Sequence, residues 1–480
     1  MVCKNFKYPA LFEHFEKISS IPRASYHEEK IAEYLVSFAK ERGLEYYTDS
    51  ARNVLINIPA TAGCEGRAPI LLQGHTDMVC EKNIGVEHDF LSDGIELYEE
   101  DGFLKARGTT LGADDGTAIA IMLALLNGDI ERHPACQCLF TASEEVGLDG
   151  AKAFDYSRIF ARRMINMDGA EEKYLIVGCA GGMRSDSIFD IEFSVPKYSN
   201  VLKITIGGLM GGHSGENIND GRANANKLMG VLLDRILLRG KAEIVSFDGG
   251  SKDNAIPREA VAILTTDDVA LIKDISADFE GEIKVGLCKD DADFFVLCEK
   301  IDDYRVEKVF SEEFSRRILS FVNEIENGVL AMSQNIEGLV EFSRNLGIVK
   351  TEGEKIGFYL SSRSAIDAQI EESAERIEGL AKRFGGVTEH HSRYPGWHFT
   401  GESALADRYI ESAKRVCGMT VEKTVLHAGL ECGIVKEALP DIEIISCGAD
   451  VHDLHSPMER LNLASFERFF EIIKDIIENY

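Results

Sequence analysis

Residues 69–79 read PILLQGHTDMV, an apolar run that leads into a histidine and an acid. The run has the length and composition of a buried β-strand, and His75 and Asp77 follow where such a strand would end. Similar strand-like runs occur at 53–58, 136–142 and 164–168, and a helix rich in small residues is predicted from about Gly116 to Leu126. This alternation predicts an α/β fold with a mostly parallel central sheet flanked by helices.

Potential metal ligands lie at or just after the ends of the predicted strands. The segments LLQGHTDMV, LGADDGTAIA, FTASEEVGLDGA, INMDGAEE and DLHSPMERL carry His75, Asp114, Glu145, Asp168 and His455. In open α/β sheets the ligand crevice lies beyond the carboxyl ends of the strands. Two imidazoles with several carboxylates suit zinc, manganese or cobalt, whereas an all-oxygen set would favour magnesium or calcium. The pattern therefore predicts a two-metal hydrolase.

A metal pair requires one bridging carboxylate with further ligands on each side. Asp114 is the natural bridge, with His75 and Asp168 serving one metal and Glu145 and His455 the other. Ordinary structural interpretations stay open, because an Asp-Asp-Gly sequence is also typical of a turn with a helix cap. The joint occurrence, at successive strand ends, of the ligand types that a metal pair requires favours the metal site.

Two neighbouring acids complete the predicted site. Asp77 is placed to accept the hydrogen bond that fixes the imidazole of His75, as carboxylates near metal ligands commonly do. Glu144 is left free to act as the general base. Asp115 is a second acid beside the predicted bridge, so either member of that pair is a possible ligand.

The middle of the chain has a different pattern. From about Ser185 the order strand, helix, strand, strand, helix, strand occurs about twice, which predicts a duplicated α+β insert. After about Trp397 the α/β pattern returns and ends in a predicted amphipathic helix. The prediction is a discontinuous catalytic domain of residues 1–184 and 397–480, with an inserted lid domain of residues 185–396. Near the start, Ser25 and Glu28 have the spacing of a helix capping box.

Composition excludes several classes of function. The chain has 480 residues and a formal net charge of -29, so nucleic acids and anionic membranes are poor partners. There is no apolar run near the roughly 20 residues that span a bilayer, and the first residues do not read as a signal peptide. Eleven irregularly spaced cysteines indicate reduced thiols, with Cys136 and Cys138 buried in a strand. Together these observations predict a cytoplasmic protein.

The motifs carry a family resemblance. HTDMV, GADDGTAIA, SEEVGLDGA, NMDG, GGHSG and DLHSPMER resemble the signature segments of the cocatalytic metallopeptidases that include aminoacylase, peptidase T and carnosinase. Over nearly the whole chain, the order and spacing of QGHTDMVCEK, GLMGGHSGENI and HAGLECG are most similar to those of the aminoacyl-histidine dipeptidases, also called peptidase D.

The resemblance implies a site with two zinc ions, or manganese or cobalt, bridged by Asp114. It also implies a cis peptide after Asp114 and a metal-bridging water activated by Glu144. Four further positions match substrate-binding motifs of the family. In these motifs a histidine and an asparagine reach the scissile carbonyl or the carboxylate, an arginine binds the substrate's C-terminus, and a glycine makes a backbone contact. The corresponding residues are His213, Asn254, Arg363 and Gly429.

The function expected from the residues and the resemblance is hydrolysis of short peptides, above all aminoacyl-histidine dipeptides with a varied first residue. The resemblance also implies a homodimer, with the inserted domain at the interface. An N-acyl-amino-acid amidohydrolase and a tripeptide aminopeptidase would share the same metal ligands. A catalytically inactive metal-binding scaffold is the alternative outside the enzymes, although no predicted ligand or base is missing.

Overall fold

The structure, a computed structural model, describes residues 6–334, 336, 338–399 and 401–479. Its strands, numbered along the chain, are β1 Glu45–Thr48, β2 Val54–Ile58, β3 Ile70–His75, β4 Leu97–Glu100, β5 Phe103–Ala106, β6 Cys136–Thr141, β7 Arg163–Gly169, β8 Tyr174–Cys179, β9 Gly181–Asp190, β10 Phe193–Ser194, β11 Asn200–Gly207, β12 Gly212–His213, β13 Ala242–Gly249, β14 Ala255–Ile256, β15 Ala260–Thr266, β16 Phe295–Ile301, β17 Val309–Phe310, β18 Gly328–Met332, β19 Val340–Glu352, β20 Lys355–Ser364, β21 Val387–Tyr394, β22 Glu422–Leu426, β23 Glu443–Gly448, β24 Val451–His452 and β25 Arg460–Asn462.

The α-helices are α1 Pro9–Ser19, α2 Glu29–Glu41, α3 Ala113–Asn127, α4 Asp149–Ala153, α5 Ala225–Arg239, α6 Val269–Lys284, α7 Glu312–Glu324, α8 Asp367–Arg383, α9 Ala404–Ser412, α10 Glu431–Ala438 and α11 Leu463–Asn479. The described residues divide into two compact units. The first lies within 1–179, 399–425 and 430–480, and the second comprises 180–398 and 426–429.

The first unit is built on an eight-stranded sheet with the order β1-β2-β6-β3-β7-β23-β8-β22. The four central strands β6, β3, β7 and β23 run parallel to one another. The pairs β1 with β2, β2 with β6 and β23 with β8 are antiparallel, so the sheet is mixed. The predicted α/β fold is confirmed, and its parallel part is the central part that carries most of the predicted ligands.

Apolar side chains explain why these elements pack together. Helix α3 is buried along nearly its whole length, as its small and aliphatic residues allow. The predicted stripe on the last helix is confirmed, because its members are all buried: Phe466, Phe469, Phe470, Ile473, Ile476 and Ile477. Cys136 and Cys138 are buried in β6 as predicted, and the cysteines of the described residues are free thiols.

The second unit contains a nine-stranded sheet. Eight of its strands have the order β16-β11-β15-β13-β19-β20-β9-β21, and the ninth, β18, pairs with β19. Buried apolar residues of α5, α6, α7 and α8 pack with those of the sheet in one hydrophobic core. This is the α+β insert predicted from the sequence.

Strand order supports the predicted duplication of this insert. One half has the succession β11-α5-β13-β15-α6-β16, and the other has β9-α7-β19-β20-α8-β21. If the four strands of each half are numbered 1 to 4 along the chain, both halves have the order 4-1-3-2 from the outer edge of the sheet to its centre. The two copies meet at β13 and β19, and the first copy is inserted after the first strand of the second. The duplication is therefore nested rather than tandem.

Among the described residues, no helix combines the length and the apolar character needed to cross a bilayer.

Candidate metal centre

The predicted ligands of the first unit converge at the carboxyl end of its parallel strands. His75 is the last residue of β3, Asp168 lies in β7 and Glu145 follows β6. These three strands are neighbours in the sheet, so their ends share one edge. Asp114 lies at the start of α3, and His455 lies in the loop between β24 and β25. The site is assembled by the strand order rather than by any one segment.

Asp114 stands between two groups of ligands. Its Oδ1 lies 2.9 Å from His75 Nε2, and its Oδ2 lies 3.3 Å from His455 Nε2. On the first side Asp168 Oδ1 is 3.5 Å from His75 Nε2, and on the second side Glu145 Oε1 is 3.1 Å from His455 Nε2. Each oxygen of one carboxylate thus faces its own histidine, which is the arrangement that a bridging ligand requires.

Burial and crowding of carboxylates shift the pKa values of this cluster. Burial raises the pKa of Asp168 to about 7, and the charge of Asp114 adds to the effect. Burial also raises the pKa of Glu144 well above its usual range. Hydrogen bonds to Asp114 and Glu145 raise the pKa of His455 to about 11. These shifts report an excess of buried negative charge, which divalent cations would neutralise.

Asp77 holds both the imidazole of His75 and the loop after β6. Its Oδ1 lies 3.3 Å from His75 Nδ1, on the opposite side of the ring from Asp114. The backbone N–H groups of Glu144 and Glu145 donate to Asp77 at 3.0 and 3.3 Å, and the Ser25 hydroxyl donates at 2.8 Å. Burial opposes ionisation of Asp77, but the adjacent imidazole of His75 and the hydrogen bonds from the other donors lower its pKa. Asp77 is therefore an anchor rather than a free acid.

Glu144 has the opposite surroundings. Among the described residues no group donates a hydrogen bond to its carboxylate, although its backbone is fixed by Asp77. The preceding residue Ser143 has a left-handed backbone with φ of 52°, and His455 likewise has φ of 60°. L-residues adopt this conformation at a cost, so surrounding contacts must hold both loops in place.

The carboxylate of Asp115 is hydrogen-bonded to backbone groups. Its carboxylate accepts hydrogen bonds from the N–H groups of His75 and Ala118, both at 3.3 Å. A Cβ atom built on Gly74 would lie 2.3 Å from Asp115 Oδ2, so the strand approaches this acid closely. One oxygen also lies within 4.8 Å of the ligand atoms of His75 and Asp168. The peptide bond between Asp114 and Asp115 is cis.

Two buried charged residues that the sequence did not single out support the ligand loops. Arg23 donates to the carbonyls of Thr76 and Asp77 at 3.0 and 2.9 Å, and to that of Gly112. Glu459 is the second of these residues and carries the opposite charge to Arg23. It accepts the N–H groups of three successive residues at 2.8 to 3.0 Å, namely Leu111, Gly112 and Ala113. Arg23 and Glu459 thereby fix the loop that presents Asp114 from both its carbonyl and its amide side.

The predicted capping box at Ser25 and Glu28 is wrong. Helix α2 begins at Glu29 and has no side-chain cap. Glu28 instead accepts the N–H and the hydroxyl of Ser143 at 2.9 and 2.6 Å, and Ser25 donates to Asp77. Both polar side chains are used to hold the ligand loops, because the alternative would leave buried donors without acceptors.

A buried polar network lies beneath the candidate metal ligands. The side chain of Asn166 donates to Gln73 at 2.6 Å, and Gln73 donates in turn to Glu431. The Thr141 hydroxyl donates to the same oxygen of Glu431 at 2.7 Å. Burial raises the pKa of Glu431 to about 7. This network ties the ends of β3, β6 and β7 to the first residue of α10.

Three of the four predicted substrate-binding residues of the second unit contact one another or share a neighbour. The Nη2 atom of Arg363 lies 3.5 Å from His213 Nε2, and its Nη1 donates to the Tyr394 hydroxyl at 2.8 Å. A Cβ atom on Gly429 would lie 2.7 Å from the Tyr394 ring. Asn254 contributes its carbonyl, which accepts the N–H of Ser214 at 2.9 Å.

The second unit also places His427 beside this group, which sequence reasoning did not single out. Its Nε2 lies 2.7 Å from the Ser343 hydroxyl, and both side chains are buried. Burial lowers the pKa of His427 to about 4, and the charge of Arg363 contributes to the shift. The imidazole is therefore neutral at neutral pH. In the sequence, His427 could have been found as the first residue of the HAGLECG segment, which the resemblance used only for Gly429.

Comparison with known proteins agrees with this geometry. A family described as peptidase family M20/M25/M40 matches residues 71–479. The cytosol non-specific dipeptidase of Escherichia coli (strain K12) is 35% identical over 471 residues, covering 98% of this chain and 97% of that protein. The crystal structure of aminoacylhistidine dipeptidase from Vibrio alginolyticus has a TM-score of 0.90 at 33% identity, covering 99% of this chain and 97% of that one.

A more distant solved structure has a similar fold. An aminopeptidase PepT from Bacillus cereus has a TM-score of 0.58 at 17% identity, covering 98% of both chains. The family model spans most of the chain and includes the five candidate ligands, and both dipeptidases align over nearly its full length. The resemblance predicted from the motifs is confirmed, and the chain belongs to peptidase family M20/M25/M40.

Proposed function

We propose that the protein is a metal-dependent dipeptidase that uses His75, Asp114, Glu145, Asp168 and His455 as ligands of two divalent cations. The observation that carries the proposal is the position of Asp114, whose two oxygens face the imidazoles of His75 and His455 at 2.9 and 3.3 Å. The two related dipeptidases, at 35% and 33% identity over nearly the whole chain, support the peptidase activity.

The residues present fit such a metal pair. Two imidazoles and three carboxylates supply nitrogen and oxygen donors in the proportion that zinc accepts, with manganese or cobalt as alternatives. Two cations held here would polarise the scissile carbonyl and lower the pKa of the attacking water. Asp77 orients His75, and Arg23 and Glu459 hold the loop of Asp114, so the ligands are placed before a cation arrives.

Glu144 serves as the general base and then as the general acid. Its carboxylate has no hydrogen-bond donor among the described residues, and it lies next to the ligand Glu145. It removes a proton from the attacking water and returns a proton to the leaving amine. Burial raises the pKa of Glu144, so its carboxylate is a stronger base than an ordinary glutamate and holds the proton that it later returns to the amine.

Residues of the second unit bind the substrate in this proposal. A dipeptide has a free C-terminal carboxylate, and the planar guanidinium of Arg363 matches it with two parallel hydrogen bonds. Arg363 is only 8% exposed and has no acidic partner among the described residues, so its charge is not neutralised by the protein. His213, Asn254 and Gly429 are assigned to the substrate as well, His213 as a donor to the scissile carbonyl or the carboxylate.

The names of the relatives support the substrate class and the setting. One relative is named a cytosol non-specific dipeptidase and the other an aminoacylhistidine dipeptidase, so dipeptides with or without a second-position histidine are the first substrates to compare. We include in the proposal a cytoplasmic location and a homodimer in which residues 185–396 serve as lid and dimerisation domain. Light scattering tests the dimer, and a monomeric mass would remove it from the proposal.

The decisive experiment measures release of free amino acid by protein stripped with a chelator, before and after zinc or manganese is added. Alanyl-histidine, alanyl-alanine and N-acetyl-histidine are compared as substrates. Metal-restored cleavage of the dipeptides alone supports a dipeptidase that needs a free N-terminus. Cleavage of the acetylated compound instead indicates an amidohydrolase, and cleavage of none of them in the metal-loaded protein refutes the proposed activity.

A further inference from the structure

Arg363 is a buried cation whose hydrogen bonds are only partly satisfied by the protein. Its Nη1 donates to the hydroxyl oxygen of Tyr394 at 2.8 Å, and its Nη2 lies 3.5 Å from His213 Nε2. Its Nε atom is buried without a hydrogen-bond partner among the described residues. A guanidinium carries five donors and no acceptor, so several of its N–H groups remain available to an anion.

The Tyr394 hydroxyl is directed by this contact. Because its oxygen accepts from Arg363, its own proton is left to donate elsewhere. Among the residues that the structure describes, none accepts a hydrogen bond from this hydroxyl. A donor that itself accepts from a cation is polarised and becomes a stronger donor. The hydroxyl and the guanidinium together therefore present an array of donors with no acidic partner in the described part of the chain.

The tyrosine ring has little freedom to move away. Tyr394 is the last residue of β21, opposite Gly182 of β9, and Pro395 follows it. A Cβ atom on Gly182 would lie 2.5 Å from the Tyr394 hydroxyl oxygen, and one on Gly429 would lie 2.7 Å from the ring. Both glycines are positions where any side chain would overlap the ring. The close approach of two backbone segments thus fixes the direction of the hydroxyl.

The other titratable groups of the cluster do not compete for an anion's charge. Burial lowers the pKa of both His213 and His427, and the charge of Arg363 lowers them further. Both imidazoles are therefore neutral at neutral pH, and the guanidinium is the permanent charge of this group. An anion bound here would meet Arg363 and the donors arranged around it.

We infer that Tyr394 is a specificity-determining residue, whose hydroxyl accepts from Arg363 and donates its proton to the C-terminal carboxylate of the substrate. The pair forms a clamp with a charged and a neutral donor, so a substrate with a free carboxylate is preferred over one in which an amide replaces it. The inference rests on the proposed dipeptidase function and on the assignment of the carboxylate to Arg363. It adds a residue that neither the motifs nor the family resemblance singled out.

The test compares alanyl-alanine with alanyl-alanine amide in the metal-loaded wild-type protein and in Tyr394→Phe. The variant keeps the ring that packs on Gly182 and Gly429 and removes only the hydroxyl. We expect kcat/KM for the dipeptide to fall roughly 10-fold, chiefly through KM, as for loss of a hydrogen bond to a charged group. The value for the amide should change less than about 2-fold, because the amide carries no charge for the clamp.

Tyr359→Phe is the matched control, because it removes a hydroxyl from another partly buried tyrosine of the same sheet that has no contact with Arg363. Its preference for the free carboxylate should equal that of the wild type. An equal fall for both substrates in Tyr394→Phe, or an unchanged preference, would refute the inference while leaving the dipeptidase proposal intact.

Arg363→Gln, which removes the positive charge, separates the inference from its premise. If this variant keeps the wild-type preference for the free carboxylate, the carboxylate is not bound at Arg363 and the clamp is refuted with it. If the wild-type protein cleaves neither substrate, the proposed function fails first. Thermal unfolding of each variant, within a few degrees of the wild type, shows that any loss is not a folding defect.

Discussion

Asp77 Oδ1 lies 3.3 Å from Nδ1 of His75, on the side of the imidazole opposite to Asp114. Asp77 thereby selects the ring orientation that turns Nε2 toward the bridging carboxylate. The same acid accepts the backbone N–H groups of Glu144 and Glu145. One buried carboxylate therefore sets the position of a proposed metal ligand and of the proposed general base together.

Replacing Asp77 with asparagine should weaken both functions at once. The amide keeps the size of the side chain but removes the charge that makes His75 a better ligand. We expect metal affinity to fall about 10- to 100-fold, as for loss of comparable partners of metal-bound histidines, with a parallel loss of turnover at limiting metal. Competition with a fluorescent chelator measures the affinity. Ser25→Ala, which removes one donor to Asp77, is the milder control, and wild-type affinity in Asp77→Asn would contradict the role.

Replacing Glu144 with glutamine should separate chemistry from metal binding. Glu144 is not a ligand in the proposal and its carboxylate is free of donors among the described residues, so the change removes only proton transfer. We expect kcat to fall about 10²- to 10⁴-fold while the metal content stays at the wild-type level. Turnover of alanyl-histidine and metal analysis of the same sample provide the two readouts. Near-normal turnover with both metals bound would show that another group is the base.

Elements with a strong local signal were predicted well from the sequence. The strand before His75 is a continuous apolar run, and the last helix has an apolar stripe from Phe466 to Ile477, so periodicity and burial agree. The candidate ligands His75, Glu145 and Asp168 could be predicted because each lies at or just after the end of such a strand, whereas Asp114 begins a helix and His455 lies in a loop. The nested order of the second unit was not predicted, because the pairing of β9 with β20 joins residues more than 160 positions apart.

The residues that hold the ligand loops could not be predicted, because their partners are also distant in the sequence. Glu459 binds the N–H groups of residues 111–113, almost 350 positions earlier, and nothing in its own segment indicates this. Ser25 and Glu28 have a local pattern that predicts a helix cap, but long-range partners take both side chains. A buried donor without an acceptor costs more free energy than a missing cap, so the tertiary contacts prevail.

Replacing Glu459 with glutamine should loosen the loop of Asp114. The amide has one accepting oxygen, and its NH₂ group would face either the N–H of Ala113 or those of Leu111 and Gly112, so at least one buried N–H group loses its acceptor. We expect the metal-depleted protein to be destabilised by about 2 kcal/mol, within the range for hydrogen bonds to a buried charge. Denaturant unfolding measures the difference. The exposed Glu171→Gln change is the control, and equal stability of both variants would show that the three hydrogen bonds contribute little.

His427 should remain neutral well below the usual pH range of histidine. Burial lowers its pKa to about 4 in the folded protein, against about 6.5 in an unfolded chain. The unfolded state therefore binds more protons between these values, so the stability contributed above pH 6.5 is lost as the pH falls toward 4.

The expected measurement on His427 is an NMR titration of its ring proton with a midpoint near pH 4, assigned by comparison with His427→Gln. That variant should also lose less stability than the wild type when the pH is lowered from about 6.5 to about 4.5, because it lacks the titrating group. Arg363→Gln should raise the midpoint, since the guanidinium charge is the second cause of the shift after burial. A midpoint near 6.5 in the wild type, the value of an unperturbed histidine, would mean that water or an anion stabilises the imidazolium at this position.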